Sequence, residues 1–322
     1  MTTPWYRSEA TLQWAQQPNH HLILLDDLRY PPLLKSTHNA PPALMVMGNP
    51  ALLLDPQLAI VGSRQMTAYG RDIAFEFAKH LAQSGLTITS GLAAGIDTQA
   101  HQGALAGNGH TIAVLGTGID QVYPAQNLTL AHDIAQHGCL VSCFPLGMRP
   151  DKTTFPQRNR IITGLSLGVL IVEAAMQSGS LVSARLAMEQ GREVFAIPGS
   201  IHNPMSKGCH HLLQQGAKLV QSSDDIFQEL QAYLHAQLEL PMVTTTAPLT
   251  DTPVAPLDPD YQTVLQEISS DPLPIDIIIE RTGMPSNIVS SILLMLEMQN
   301  YIESTVSGYV RRRREESQLY CL

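Results

Sequence analysis

The chain contains 322 residues, of which 44% are hydrophobic, and its formal net charge is −9, from 28 acidic and 19 basic side chains. This length can hold one large domain with smaller attachments and can bury a sizeable core. The first ten residues do not resemble a signal peptide, and the longest apolar stretch, residues 161–175, is interrupted by Glu173 and small polar residues. The four cysteines fit neither a zinc site nor a disulfide framework. We therefore expect a cytoplasmic protein without membrane association.

The charges are unevenly distributed along the chain. Residues 219–280 contain eleven acidic residues and no Lys or Arg, whereas residues 141–220 contain eight cations and four acids. A basic surface can therefore exist on a protein whose net charge is negative, and steering of an anionic ligand depends on that local field. The net charge does not exclude a nucleic-acid partner.

In chain order, residues 1–40 show little hydrophobic periodicity and predict a short helical N-terminal segment. Apolar runs then alternate with helical patterns such as 69–83, which predicts an α/β domain over residues 41–236 with a doubly wound, mostly parallel sheet. The predicted strands lie near 44–47, 58–61, 86–89, 111–115, 139–142, 168–172, 193–196 and 217–219.

The C-terminal part has a different pattern. After a helix at 223–234, residues 237–257 are rich in Pro and Thr and predict a linker. Residues 258–315 then show three helical segments, at 260–269, 274–282 and 286–299, followed by two short strands, which suggests a winged helix. Residues 316–322 form a tail. Arg311–Arg314 at the hairpin could contact DNA phosphates or form part of a solvated terminus.

Two corners at strand ends have the composition of anion sites. The strand LAIV (58–61) is followed by Gly62-Ser63-Arg64, and a later strand leads to Ser178-Gly179-Ser180 ahead of a helix. Free backbone N–H groups and the helix dipole favour negative charge at such corners. The alternative interpretation is that these residues only cap helices.

A third candidate is the segment 151–164, DKTTFPQRNRIITG. It carries Lys152, Arg158 and Arg160 beside the amide of Asn159 and the aromatic ring of Phe155. Cations and hydroxyls suit a phosphate–sugar backbone, and an aromatic ring can stack on a base. A surface loop whose arginines tie neighbouring elements together is the other possibility.

Catalytic chemistry has weaker support in the sequence. Asp97 and His101 are spaced to share one helix face, and Glu173 could act as a base or accept N–H bonds from the turn that follows it. The chain contains no G-x-x-x-x-G-K-[ST] motif, and Gly116-Thr117-Gly118 is only a weak sign of dinucleotide binding. A nucleotide-processing enzyme that uses Glu173 or Asp97 remains the alternative function.

Eight motifs occur together in one order: YPPLL (30–34), IVGSRQMTAYG (60–70), SGLAAGIDTQAH (90–101), TIAVLGTGIDQVYP (111–124), FPQRNRIITGLS (155–166), VEAAMQSGSLVSARLA (172–187), REVFAIPGS (192–200) and LLQQGAKLV (212–220). In this combination the chain closely resembles the bacterial DNA-processing protein A family (DprA, also called Smf). The resemblance implies an extended Rossmann domain and a C-terminal winged helix. It also implies a protein that binds single-stranded DNA, forms a homodimer and loads RecA recombinase during natural transformation. We accordingly expect no catalytic residues, no cofactor and no metal.

The candidates from the residues and the family positions together give the expected DNA contacts: Gly62, Ser63, Arg64, Lys152, Phe155, Arg158, Asn159, Arg160, Ser178, Gly179, Ser180 and Lys207. Ala94 stands where the family usually has Arg, which we expect to weaken phosphate binding or shift it to Arg64. We expect the homodimer to form through apolar residues around Leu212, Leu213 and Leu219.

Overall fold

The computed structural model describes residues 4–239 and, after them, residues 259–269, 273–286, 289, 292–293, 296, 301–305 and 308–311. The chain divides into two compact units, residues 1–241 and 242–322. Within the described part of the chain, no helix is long and apolar enough to cross a membrane.

A nine-stranded sheet organises the first unit. Its strands are β1 (His20–Leu24), β2 (Ala43–Gly48), β3 (Gln57–Val61), β4 (Thr87–Ser90), β5 (Thr111–Val114), β6 (Cys139–Ser142), β7 (Gly168–Ile171), β8 (Glu193–Ala196) and β9 (Lys218–Leu219). The helices of this unit are α1 (Glu9–Ala15), α2 (Pro32–Lys35), α3 (Ala68–Gln83), α4 (Ile96–Ala106), α5 (Leu128–His137), α6 (Thr154–Leu165), α7 (Gly179–Glu189), α8 (Lys207–Gln214) and α9 (Ser223–Glu239).

The strand order places the switch point of the doubly wound sheet, where the direction of strand addition reverses, between β3 and β7. The order is β1-β2-β6-β5-β4-β3-β7-β8-β9, so the chain builds outward from β3 through β4, β5 and β6 and then returns to β7 on the other side. Strands β3 to β9 pair in parallel, whereas β1–β2 and β2–β6 are antiparallel. In such sheets the crevice for a ligand opens at the carboxyl ends of the strands where the order reverses.

Side chains of the strands alternate between two apolar cores. On β3, Leu58 and Ile60 pack on the face covered by α3, α4 and α9, whereas Ala59 and Val61 pack on the face covered by α6, α7 and α8. This alternation is the period-two pattern of a strand that is buried on both faces. Helix α3, which matches the predicted helical pattern at 69–83, buries Ala74, Phe77 and Leu81 on one face. The α/β, doubly wound, mostly parallel prediction is therefore confirmed.

The prediction of a helical segment over residues 1–40 is wrong in one respect. Helices α1 and α2 are present, but His20–Leu24 forms the edge strand β1, which pairs antiparallel with β2 from His20 opposite Met47 to Leu24 opposite Ala43. A strand of five residues in which only Ile23 is fully buried carries too little periodicity to be recognised locally.

The second unit contains α10 (Pro259–Glu267), α11 (Ile275–Thr282) and a hairpin of β10 (Ile302–Thr305) and β11 (Gly308–Arg311). Residues 286, 289, 292, 293 and 296, which belong to the third predicted helix, are helical. Their apolar side chains share one core with Val264, Ile278 and Ile302. Helix α9 continues to Glu239, five residues beyond the prediction. Most of the predicted linker, the tail and residues 312–314 of the arginine run lie outside the described residues.

We expect Ile23→Ala to lower the free energy of unfolding by about 2–5 kcal/mol, because the side chain is completely buried in the main core. Leu28→Ala is the matched control: that side chain is 93% exposed, and its truncation should cost less than about 0.5 kcal/mol. Urea unfolding followed by tryptophan fluorescence compares the two variants. Equal stability would mean that β1 is not part of the cooperative core.

Candidate nucleic-acid interface

An open groove of about 670 Å³ lies at the switch point of the sheet, beyond the ends of β3 and β7. It brings together residues from five stretches of the chain that are far apart in sequence. Ten of the twelve predicted DNA-contacting residues line it: Gly62, Ser63, Arg64, Lys152, Phe155, Arg158, Asn159, Ser178, Gly179 and Ser180.

The turn after β3 is held by its neighbours on both sides. The backbone N–H of Ser63 donates to the Glu173 carbonyl at 2.8 Å, and the Ser63 carbonyl accepts from the Ile96 N–H at 3.2 Å. A Cβ on Gly62 would lie 2.6 Å from Cγ1 of Ile96, so this position has no room for a side chain. The clamped turn leaves the side chain of Arg64 exposed at the edge of the groove.

Glu173 fixes the start of α3. Its carboxylate accepts the backbone N–H of Thr67 at 2.9 Å and the Thr67 hydroxyl at 2.5 Å, and the Thr67 hydroxyl in turn accepts the N–H of Gly70. Helix α3 thus begins at Ala68, one residue before the predicted start, with Thr67 as its N-cap. Both oxygens of this buried carboxylate hold the turn after β3, whereas the sequence suggested that they would accept from the turn that follows Glu173.

Helix α7 presents its N-terminus to the groove. Ser178 is the N-cap: its hydroxyl accepts from the Ser180 N–H at 3.3 Å and lies 2.5 Å from the Ser180 hydroxyl. A Cβ on Gly179 would meet no atom within 4 Å, so the backbone there faces open space. Capping and exposure to a ligand coexist at this corner, because the helix dipole still directs positive potential outward.

The basic segment 151–164 is mainly a helix and not a loop. Helix α6 starts at Thr154, whose hydroxyl donates to the Gly116 carbonyl at 2.6 Å and so ties the helix start to the end of β5. Lys152 precedes the helix and is exposed, while Asn159 is half-buried along the groove wall. A helix holds these side chains in a more fixed geometry than a surface loop, the alternative considered for this segment, would.

Phe155 is surrounded by cations and by a second aromatic ring. Cζ of Arg64 lies 5.1 Å from the ring centroid and Cζ of Arg158 lies 6.0 Å from it. The ring of Tyr123, which is 46% exposed, is 6.2 Å away by centroid distance. Tyr123 was not among the predicted site residues, although it belongs to the VYP end of the motif at 111–124. The sequence did offer a signal for Tyr123, because this aromatic residue precedes Pro124 in the segment that follows a predicted strand.

Arg158 has a different role from Arg64, because it is only 5% exposed. Its Nη1 lies 3.7 Å from Oδ2 of Asp97, which also accepts the N–H of Gly91 at 3.1 Å. Burial raises the pKa of Asp97, and the neighbouring guanidinium opposes that shift. Burial likewise lowers the pKa of Arg158, while Asp97 acts in the opposite direction. The buried Arg158–Asp97 pair therefore forms part of the floor of the groove.

Asp97 and His101 take different partners, so they do not form the dyad that their spacing suggested. Nδ1 of His101 lies 2.7 Å from the Thr111 hydroxyl, which itself donates to the Ile88 carbonyl. Complete burial, helped by Arg158, lowers the pKa of His101 to about 3. The imidazole is therefore a neutral packing element between α4 and β5.

The remaining predicted residues lie elsewhere. Arg160 donates from Nη1 to the His38 carbonyl at 3.0 Å and faces a different groove. Lys207 is the exposed first residue of α8 and does not line the groove at the switch point. The assignment of Leu212 to a dimer interface is wrong, because its side chain is buried in its own domain at 3% exposure. Leu213 is half-buried, and Leu219 is 45% exposed.

The model of the family of DNA recombination-mediator protein A matches residues 21–231, and that of the DprA winged helix domain matches residues 248–308. The chain belongs to the DNA recombination-mediator protein A family. It is 47% identical over 307 residues to Protein Smf of Escherichia coli (strain K12), which covers 95% of this chain and 81% of that protein. It is 48% identical over 208 residues to DNA processing protein DprA of Streptococcus pneumoniae, which covers 65% of this chain and 73% of that one.

Solved structures of family members share the fold. The X-ray structure of DprA from Streptococcus pneumoniae matches with a TM-score of 0.65 at 44% identity, covering 68% of this chain and 77% of that chain. DNA processing protein A from Helicobacter pylori matches with a TM-score of 0.59 at 32% identity, covering 63% of this chain and 93% of that chain. The latter structure was described for its single-stranded DNA binding mode.

The family departure at Ala94 lies beside the groove. Ala94 lines a small cavity of about 90 Å³ together with Arg64, Tyr123 and Phe155. An arginine at position 94, which the family resemblance implies, would lie near Phe155, where Arg64 supplies an exposed guanidinium 5.1 Å from the ring centroid.

We expect Glu173→Ala to lower the free energy of unfolding by about 1–3 kcal/mol, because the Thr67 N–H loses its buried acceptor. Glu173→Gln should cost less than half as much, since an amide oxygen can accept that N–H and the amide nitrogen can donate to the Thr67 hydroxyl. Urea unfolding of the two variants tests this. Equal losses would show that the negative charge, rather than the hydrogen bonds, holds the turn.

The pKa of His101 makes a prediction about acid stability. Because the unfolded imidazole binds a proton near pH 6.5 and the folded one only at about pH 3, the unfolded state takes up more protons between these values. The contribution of neutral His101 to the free energy of unfolding is therefore fully present above pH 6.5. Below that pH it falls by up to about 1.4 kcal/mol per pH unit. His101→Gln should reduce this slope by up to one proton in urea unfolding at several pH values. Identical slopes in both proteins would refute the assignment.

Proposed function

We propose that this protein binds single-stranded DNA in the groove at the switch point and acts as a recombination mediator rather than as an enzyme. The observation that carries the proposal is the arrangement around Phe155: an exposed Arg64 beside the ring, Lys152 at the start of α6, and the N-terminus of α7 across the groove. The family, and the described DNA-binding mode of the Helicobacter pylori relative, support the same proposal.

The charge of the groove suits a phosphate backbone. Among the described residues that line it, Arg64, Lys152 and Arg158 are cationic and Asp97, which is buried beside Arg158, is the one acid. A local positive field can attract a polyanion to a protein of net charge −9. Backbone contacts of this kind carry little sequence preference and weaken steeply with salt.

The aromatic ring favours single strands over duplex. Phe155 is half-buried beside Tyr123, and a ring in a groove can stack only on a base that has left its own stack. With aromatic residues at only 5% of the chain, we infer that phosphate contacts supply most of the affinity and that stacking supplies the preference for single strands.

The finer steps of the proposed function concern partners. We propose that the bound strand is protected and handed to RecA recombinase during natural transformation, in the cytoplasm, where incoming strands and recombinase meet. We also propose that two copies associate near β9, where Leu219 is exposed and Leu213 is half-buried. The alternative of a nucleotide-processing enzyme loses its two candidate residues to structural roles, since Glu173 holds Thr67 and Asp97 lies against Arg158.

We expect Arg64→Ala and Lys152→Ala each to weaken binding of an oligothymidylate by about tenfold, because each removes an exposed phosphate-binding cation. Each should also reduce the slope of log affinity against log salt by about 0.7, the contribution of one phosphate contact on a single strand. Fluorescence anisotropy over a salt series measures both effects. Stability to urea should be unchanged in either variant.

Two further variants serve as controls for this experiment. Arg71→Ala removes an exposed cation on α3 that pairs with Asp72 at 2.9 Å and lies outside the groove, so binding should stay at the wild-type level. Arg158→Ala should lower stability by about 3 kcal/mol or more together with binding, because it leaves Asp97 buried without its partner. Wild-type affinity in the Arg64→Ala, Lys152→Ala double variant would overturn the proposed site.

A further inference from the structure

A second groove, of about 850 Å³, lies on the other side of the ridge formed by α6 and α7. The two grooves adjoin at that ridge, since Pro156 and Val182 line both of them. None of the predicted DNA contacts except Arg160 lies in the second groove, so the proposed function does not account for it.

Helical geometry explains why one pair of helices serves both grooves. Phe155 and Arg160 are five residues apart on α6, which places them about 140° apart around the helix axis and about 7.5 Å apart along it. Phe155 therefore borders the first groove and Arg160 the second. On α7, the N-terminal residues border the first groove, whereas Arg185 and Leu186 border the second.

The second groove offers cations to an anionic ligand. Among the described residues that line it, Arg160 and Arg185 are basic and Glu189 is the one acid. The Arg185 side chain is 68% exposed and only 3.8 Å from Glu189, a pairing that contributes little in water and can be exchanged for a phosphate. Arg160 uses Nη1 for the His38 carbonyl, and a guanidinium has five N–H donors in all.

An aromatic ring completes the second groove. Trp5 is half-buried at its wall, with its ring perpendicular to that of Tyr6 at a centroid distance of 5.7 Å. The groove thus combines the exposed guanidinium of Arg185 and the half-buried guanidinium of Arg160 with an aromatic ring, which are the residue types that bind single-stranded nucleic acid.

We propose that a bound DNA strand continues across the Pro156–Val182 ridge into the second groove, where Arg185 and Arg160 contact phosphates and Trp5 stacks on a base. This inference rests on the proposed function, because the second groove would bind the continuation of a strand that the first groove holds.

Cavity size alone does not make such a site. A groove of about 830 Å³ between β1 and α5 has no Lys or Arg among the described residues that line it.

The test compares two oligothymidylates, one of about 5 nucleotides that fills the first groove and one of about 15 that can reach the second. Arg185→Gln should weaken binding of the long strand about threefold to tenfold and lower its salt slope by about 0.7, while the short strand binds as to wild type. Arg71→Gln, a matched exposed arginine outside both grooves, should alter neither affinity.

Tryptophan fluorescence gives an independent readout. The chain contains two tryptophans, and Trp14 is buried and stacked on His20, so Trp5 is the one that a base can reach. The long strand should quench the emission and the short strand should not, and Trp5→Phe should abolish the difference. Trp5→Leu removes the aromatic ring and should weaken binding of the long oligothymidylate by at least about fivefold.

The outcomes separate the two proposals. Selective loss of long-strand binding in Arg185→Gln, with quenching by the long strand only, supports the extended track. Equal affinities of wild type and Arg185→Gln for both strands, or equal losses for both, overturn it while the first groove stands. If the wild-type protein binds neither strand at low salt, the proposed function itself fails.

Discussion

The contact between Glu173 and the turn after β3 is the constraint on which the site depends. Residue 173 follows β7. Its carbonyl accepts a hydrogen bond from the Ser63 N–H, and its carboxylate accepts from the N–H and the hydroxyl of Thr67. These three hydrogen bonds join the two halves of the doubly wound sheet at the point where their strands diverge. Because the turn is fixed there, the backbone of Arg64 is held at the edge of the groove, and little backbone entropy remains to be lost when a ligand binds.

A second constraint lies under the groove. Arg158 and Asp97 are buried together, and a Cβ on Gly91 would lie 1.1 Å from Nη1 of Arg158, so the glycine is required for the guanidinium to fit. The buried arginine forms the base of the site and also lies 6.0 Å from the ring of Phe155. One cation thus supports the aromatic ring from inside while Arg64 approaches it from solvent. The same residue type has a structural role at one position and a proposed binding role at the other.

Much of the fold could be predicted because its signals are local. The eight strands of the core appear as short apolar runs at nearly the observed positions, and the stripe on α3 fixed its face. The residues after β3 and β7 could be assigned to one edge of the sheet, since parallel strands deliver their carboxyl ends together. Strand β1 could not be predicted because it is an edge strand with one fully buried residue, and the polar N-terminal half of α6 does not distinguish a helix from a surface loop.

The sequence by itself determined the fold class, the chain order of the eight core strands and the placing of the residues after β3 and β7 at one sheet edge, because apolar periodicity is a local signal. The remaining expected DNA contacts were implied by the family resemblance. Only the tertiary structure decided which charged groups are available. Arg64 is exposed and Arg158 buried, Glu173 reaches Thr67 across 106 positions in the chain, and Leu212 points into its own core. These outcomes depend on contacts between segments far apart in the sequence, and burial, which sets the free energy of every charge, exists only once those segments have packed.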